Sequence, residues 1–161
     1  MHGSATSYAA QPLDVAVGVL GHEHLQIVLD LDRSFAREEV KRAVEGAVAA
    51  FPVLGCRYVP GAWRDRWVPD PRMTAADAVQ ELDPAAGIEA ATREWLAREF
   101  DEREGWPWRV ALLPRDGGCR LMVSVLHAVT DGAGALAAVR ERGRLLAGGA
   151  PVERPCPLER N

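Results

Sequence analysis

Apolar side chains in the first third of the chain change from strand-like to helical spacing. Residues 27–31 are a β-prone, mainly apolar run that predicts a strand, and Ser34 offers an N-cap for a following helix. Glu38 and Glu39 suit its first turn because the N-terminal end of a helix carries partial positive charge. Apolar positions then form one stripe, made of Val40, Val44, Ala47, Val48 and Phe51. Pro52 lacks the N–H that another turn needs, so the helix ends there, and we expect the stripe to pack on a sheet.

Turn-forming residues predict two hairpins. The strand-like runs 53–59 and 66–68 flank a Pro-Gly turn. The apolar runs 108–113 and 120–126 flank the Asp-Gly-Gly sequence at 116–118, whose residues tolerate the positive φ angles of tight hairpins. The second hairpin is the strongest strand signal in the chain.

Two further amphipathic helices complete the pattern, over residues 86–102 and 133–147. Strands and helices that mix without strict βαβ alternation favour an α+β fold. We therefore expect a two-layer sandwich, with a mixed or mainly antiparallel sheet and helices packed on one face. Residues 1–150 are assigned to one lobe, and 151–161 to a proline-rich tail or the start of an inter-lobe linker.

Composition and charge favour a globular domain. A chain of 161 residues hides roughly 70% of its unfolded surface on folding, which is enough for one core. Its 48% hydrophobic and 26% charged residues lie near the average for globular proteins. The net charge is -4, and the 19 basic residues, all arginine except Lys41, are scattered. We therefore expect no nucleic-acid partner.

Cysteine usage and hydropathy predict a location. Cys56, Cys119 and Cys156 are odd in number and far apart, which suggests neither a disulfide framework nor a metal or redox unit. The start of the chain lacks a charged segment leading into an apolar run, and apolar stretches such as 121–126 are too short to span a bilayer. We expect a cytoplasmic protein with no membrane partner.

The residues with the clearest chemistry follow the second hairpin. Its last strand delivers His127 into a turn, with Asp131 four residues on and glycines at 132 and 134 that permit tight backbone geometry before a helix. Imidazole has a pKa near working pH, so a histidine held at a strand end can take a proton from a hydroxyl or an amine. The activated acceptor can then attack an acyl thioester.

Residues 127–132, His-Ala-Val-Thr-Asp-Gly, resemble the HxxxDG motif of the chloramphenicol acetyltransferase-like superfamily, which includes nonribosomal condensation domains and wax-ester-type acyltransferases. Residues 51–57 look like the helix end and strand start of that family's N-terminal lobe. Phe100 followed by 106–110 looks like its segment before the motif hairpin. Together the likeness covers about residues 27–147.

The resemblance implies a single chloramphenicol acetyltransferase-like lobe and a role for each motif residue. His127 would be the general base. Asp131 would be structural, pairing with an arginine to hold the loop, and Arg109 is one candidate partner. Gly132 would leave backbone room where substrate channels meet. The implied co-substrate is an acyl-CoA or phosphopantetheine-carrier thioester, with no bound cofactor and no metal.

Two departures from the family pattern limit these expectations. Many condensation domains carry a second histidine before the catalytic one, and Leu126 in that place favours simple acyl transfer over peptide-bond condensation. Condensation-type members also have two lobes with a tunnel between them, and no second-lobe signature such as an Asp-Phe-Gly-like motif is present.

Half a site shields a thioester and stabilises its oxyanion poorly, because those tasks need donors from the opposite wall. We expect that wall to come from a complementary C-terminal lobe on another chain or from a second copy in a homo-oligomer, unless the chain is a fragment or a relic. A carrier protein is a candidate further partner. The sequence does not identify the acyl donor, the acceptor or the pathway.

Other residues have simpler interpretations, and one alternative function stays open. His22 and His24 lack a third metal ligand at useful spacing and are expected in a solvated loop. The five tryptophans are expected to be core or lobe-interface anchors. Cys119 has no evident activating base. The alternative is a noncatalytic interaction module that keeps a degenerate acyltransferase lobe and binds a partner with its inner face.

Overall fold

A computed structural model describes residues 7–10, 24–71, 74–99, 106–127, 129, 134, 137, 139–140, 143–144 and 148. The strands are β1 Tyr8–Ala9, β2 His24–Leu31, β3 Cys56–Val59, β4 Arg66–Pro69, β5 Val79–Glu81, β6 Trp108–Arg115 and β7 Gly118–Leu126. The helices are α1 Arg37–Ala50, α2 Ala75–Ala78 and α3 Ile88–Leu96, with 3-10 turns at Pro52–Gly55 and Pro84–Ala86.

Two sheets organise the described residues, and the larger one is mixed, as the pattern predicted. Its strand order is β2-β7-β6-β5, with β5 parallel to β6 and the other pairs antiparallel. The smaller sheet is antiparallel, in the order β1-β4-β3. β7 is therefore a central strand, paired with β2 on one side and β6 on the other.

The α+β class is confirmed, but the helices lie on both faces of the larger sheet rather than on one. Val110 and Val123 pack with Val40 and Val44 of α1 on one face. On the opposite face, Ala111, Leu113 and Met122 pack against Trp95 of α3. Because nearly every residue of β6 and β7 is buried, both faces need a covering layer.

Helix α1 begins two residues later than the sequence suggested. Its N-cap is Ala36, whose N–H donates to the Glu39 carboxylate at 2.8 Å. Ser34 is not the cap, because its hydroxyl donates to the carbonyl of Gly118 at 3.1 Å. The helix ends at Ala50, and Pro52 opens a 3-10 turn, so the predicted stop is confirmed.

Both predicted hairpins are present, while the later helices are confirmed only in part. Helix α3 is shorter than the predicted 86–102 at its described C-terminal end, because its last turn closes at Ala97, whose N–H donates to the Arg93 carbonyl at 3.0 Å. Most of the predicted helix 133–147 lies outside the described residues. The described positions in it have helical backbone, namely Gly134, Ala137, Val139, Arg140, Gly143 and Arg144.

The tryptophans divide into three groups by exposure. Trp67, Trp95 and Trp108 are fully buried, which confirms the core interpretation for them. Trp106 is half-buried beside the main core. Trp63 is 100% exposed at the tip of the β3–β4 connection, so it is not a core residue, and its role as a lobe-interface anchor stays a prediction.

Candidate active site

His127 leaves the central strand β7 in a closed turn. The Leu126 N–H donates to the Pro107 carbonyl at 2.8 Å, which extends the β6–β7 ladder to the end of the strand. The Leu126 carbonyl then accepts from the Val129 N–H at 3.0 Å. This hydrogen bond spans four residues and makes His127 the second residue of a β-turn. The backbone of His127 is thus fixed by hydrogen bonds on both sides.

Val129 anchors this turn between the two sheets. It packs against the main core cluster and also against the smaller cluster that contains Cys56 and Trp67. The turn is therefore tied to β3 and β4 of the smaller sheet as well as to the end of β7. Anchoring by packing on both sides restricts where the imidazole can point.

The two ring nitrogens of His127 have different surroundings. The side chain is half-buried. Nδ1 is buried and has no hydrogen-bond partner among the described residues, whereas Nε2 is not among the buried unpaired atoms. Nδ1 is therefore the ring nitrogen that the protein covers.

Trp106 and His127 flank the hydrogen bond that joins Leu126 to Pro107 at this end of the hairpin. The last paired residues before it are Trp108 and Val125. The Trp106 ring meets the Trp108 ring edge-on, with centroids 5.8 Å apart and an interplanar angle of 70°. Its Nε1 is buried without a partner in the described part of the chain.

Arg109, the candidate partner of Asp131, has its described contacts at the C-terminal end of α3. Its guanidinium lies 4.9 Å from the Trp95 ring centroid and donates to the backbone carbonyls of Trp95, Arg98 and Glu99. Burial lowers the pKa of Arg109. Asp131 and Gly132 lie outside the described residues, so their roles stay predictions.

Of the described residues with simpler interpretations, Cys119 keeps the one expected and His24 does not. His24 begins β2 rather than lying in a loop, and it pairs with Leu126. Cys119 is buried and donates to the Arg33 carbonyl at 3.3 Å, and burial raises the pKa of its thiol. A thiol held protonated in this way is a poor nucleophile. His22 and Cys156 lie outside the described residues.

Neither a metal site nor a membrane span is found in the described residues. They contain no group of three or more histidine, cysteine or acidic side chains that could hold a metal ion. Within the same residues, no helix is long and apolar enough to cross a bilayer.

No protein-family model and no curated protein sequence matches this chain. Solved structures do match it. The starter condensation domain of rhizomide synthetase RzmA has a TM-score of 0.76 and 15% identity, over 93% of this chain and 40% of that chain. A first condensation domain of the calcium-dependent antibiotic synthetase, in complex with a substrate analogue, has a TM-score of 0.73 and 16% identity, over 94% and 40%. A complex of the X-domain and OxyB from teicoplanin biosynthesis gives 0.73 and 18%, over 96% and 36%.

These similarities show the fold. The chain has the architecture of one condensation-domain lobe, which confirms the single-lobe expectation. It spans about 40% of the length of the condensation domains that it matches. The sequence identity to these two condensation domains is only 15% and 16%, so the similarity is one of fold.

Proposed function

We propose that this chain is one lobe of a condensation-type acyltransferase, with His127 as its general base. The observation that supports this most directly is the placement of His127 at the end of the central strand, with Nδ1 buried, which leaves Nε2 for the proposed role. The fold shared with condensation domains gives that placement a chemical context. A substrate analogue is bound in one of those domains.

In the proposed reaction, Nε2 accepts the proton of an alcohol or amine as its oxygen or nitrogen attacks the carbonyl carbon of an acyl thioester. The new C–O or C–N bond forms, the C–S bond breaks, and the departing sulfur takes the proton back from the imidazolium. The thioester would be an acyl-CoA or an acyl-phosphopantetheine on a carrier protein. A positioned base of this kind contributes roughly two to four decades of rate.

The site needs a second wall. Oxyanion donors and exclusion of water must come from the side of the thioester opposite His127. We propose that a complementary C-terminal lobe on another polypeptide, or a second copy of this chain, supplies them. The chain matches about 40% of each condensation domain, so the residues in hand form one side of such a site.

The test is His127→Ala in the protein assembled with its complementary polypeptide, supplied with an acyl-pantetheine thioester and an amine or alcohol. Thiol release should fall by roughly two to four decades, because the base is lost. The unfolding temperature should stay near that of the wild type, because the side chain is half-buried and one ring nitrogen is unpaired.

His24→Ala is the matched control. His24 lies at the same end of the sheet and pairs with Leu126, so its removal alters the local surface but not the proposed base. It should keep wild-type turnover. Turnover by His127→Ala equal to that of the wild type would show that another group, or none, acts as the base.

The second candidate function is a noncatalytic interaction module. It is favoured by the X-domain, which has this fold and occurs in a complex with OxyB, and by the fully exposed Trp63. The sequence of the neighbouring reading frame distinguishes the enzyme from the interaction module. A second-lobe sequence there favours the enzyme. Its absence, together with stable association and no thiol release, favours the module.

A further inference from the structure

Strand β2 forms one edge of the larger sheet and is eight residues long. Among the described residues, a strand pairs with it on one side only, where β7 holds it in an unbroken register from His24 opposite Leu126 to Leu31 opposite Cys119. An unbroken register contains no bulge that would twist the edge away from a further strand. The outer side of β2 therefore offers a row of backbone N–H and C=O groups to which another strand can bind.

The opposite edge of the same sheet is protected. Strand β5 has three residues, and the Val79 carbonyl accepts a hydrogen bond from the Arg37 guanidinium at 3.1 Å. A short strand and a charged side chain at the edge are common ways in which proteins prevent strand pairing. Strand β2 contains neither proline nor lysine, and its one carboxylate, Asp30, is bound by Arg120 of β7. Because β5 is protected, assembly through β2 would stop at two copies.

Apolar side chains of β2 are incompletely covered. Ile27, Leu29 and Leu31 pack against the main core but are only half-buried. On the other face of the strand, Val28 is 40% exposed, although Met122, its pairing partner on β7, is fully buried. A strand added at the outer edge would remove more of this apolar surface from water, which favours association.

We propose that β2 pairs with β2 of a second copy of this chain, antiparallel about a two-fold axis at Val28, so that one sheet continues through both copies. Directly opposed residues of an antiparallel pair lie on the same face, so Ile27 would lie opposite Leu29 of the second copy. Gln26 would lie opposite Asp30. This register opposes apolar side chains to apolar ones and places no like charges together. Moving the axis by one residue would set Val28 against Gln26 or Asp30.

The proposed dimer leaves the candidate active site outside the interface. His127 follows Leu126, which pairs with His24 at the start of β2. With the axis at Val28, the two copies of His24 lie at opposite ends of the paired strands, roughly 27 Å apart along the strand direction. A second copy bound in this way does not supply the second wall of the site. The dimer therefore does not depend on the proposed function.

The experiment is sedimentation equilibrium of the full chain with no added partner. The wild type should show a monomer–dimer equilibrium, and Val28→Lys should raise its Kd at least roughly tenfold, because two ammonium groups would meet at the axis. Val28 is exposed, so this variant should keep the circular dichroism spectrum of the wild type. Ala49→Lys is the matched control, since it adds the same charge at an exposed position of α1 and should dimerise like the wild type.

Mixing Val28→Lys with Val28→Glu tests the register. Lysine then faces glutamate at the axis, so the mixture should form dimers that neither variant forms alone. A wild type that stays monomeric up to about 100 μM, a Val28→Lys variant that dimerises like the wild type, or a mixture that stays monomeric would overturn the proposal. None of these variants alters His127, so a failure of the proposed function would leave all of these expected results unchanged.

Discussion

At the scale of single residues, Arg120 joins three elements of the fold. It lies on β7 with its side chain 13% exposed, and its guanidinium donates to both carboxylate oxygens of Asp30, to Glu89 and to the Thr92 hydroxyl. These partners belong to β2 and α3, so one side chain links the central strand to the neighbouring strand and to a covering helix. The pKa of Asp30 is held below its usual value, chiefly by the hydrogen bond from Arg120.

Arg120→Gln should lower the unfolding temperature by roughly 2–6 °C at neutral pH. The stabilisation by the Arg120–Asp30 pair should depend on pH. A carboxylate whose pKa is depressed in the folded state stabilises the fold above its unfolded pKa of about 3.9, and this contribution is lost as pH falls through the folded pKa. The difference between wild type and variant should therefore narrow from pH 5 toward pH 2 in thermal unfolding scans.

Arg98→Gln is the control for that experiment. Arg98, just beyond the end of α3, pairs with Glu94 of that helix at 3.0 Å, and exposed pairs of this spacing contribute little. Its unfolding temperature should match that of the wild type across the same pH range. An Arg120→Gln deficit that stays constant down to pH 2 would show that Asp30 is not the titrating partner.

At the scale of elements, the β6–β7 hairpin positions the candidate base. Its turn contains Gly117 with φ of 75°, a left-handed conformation that favours glycine. This turn sets the register that pairs β7 with β6, from Gly118 opposite Arg115 to Val125 opposite Trp108. The hairpin also contributes the side chains that face both covering helices.

Gly117→Ala should destabilise the chain by about 1–2 kcal/mol in urea unfolding. A Cβ there meets nothing within 4 Å, so the cost is backbone conformation rather than a clash. Gly143→Ala is the opposite case, because Gly143 is exposed, has helical backbone and likewise has open space around it. It should stabilise by about 0.5–1 kcal/mol. Changes of the same sign in both variants would contradict this assignment.

At the scale of the whole molecule, the fold is one lobe that covers about 40% of the condensation domains it matches. A catalytic lobe needs an opposite wall, and an interaction module needs a partner, so both candidate functions require association. The described lobe already offers one fully exposed tryptophan, Trp63. Asp65 stabilises the β3–β4 connection that carries Trp63, because its carboxylate accepts hydrogen bonds from the Gly61 N–H and the Tyr58 hydroxyl.

We expect sedimentation equilibrium at micromolar concentration to give a mass above that of one chain, either alone as a homo-oligomer or after mixing with the complementary lobe. Trp63→Ala should weaken that association, because large exposed aromatic side chains contribute most where they become buried at an interface. Strict monomers under both conditions would count against the enzyme and against the module.

The sequence by itself determined the features that depend on neighbours along the chain. Helix α1 with its stop at Pro52, both hairpins, and the position of His127 at the end of a strand follow from periodicity and turn chemistry, which act over a few residues. The HxxxDG resemblance added the fold of the lobe, and the structural similarities confirm it. The wrong N-cap at Ser34 shows the limit, because its hydroxyl bonds the carbonyl of Gly118, which is distant in sequence.

Only the tertiary structure decided the features that join distant parts of the chain. The parallel pairing of β5 with β6, the helices on both faces of the sheet, and the bonds of Arg120 each depend on which surfaces meet when the core closes. Burial of Trp106 Nε1 and His127 Nδ1 without partners is a property of the packed fold, because exposure is set by every element that covers a side chain.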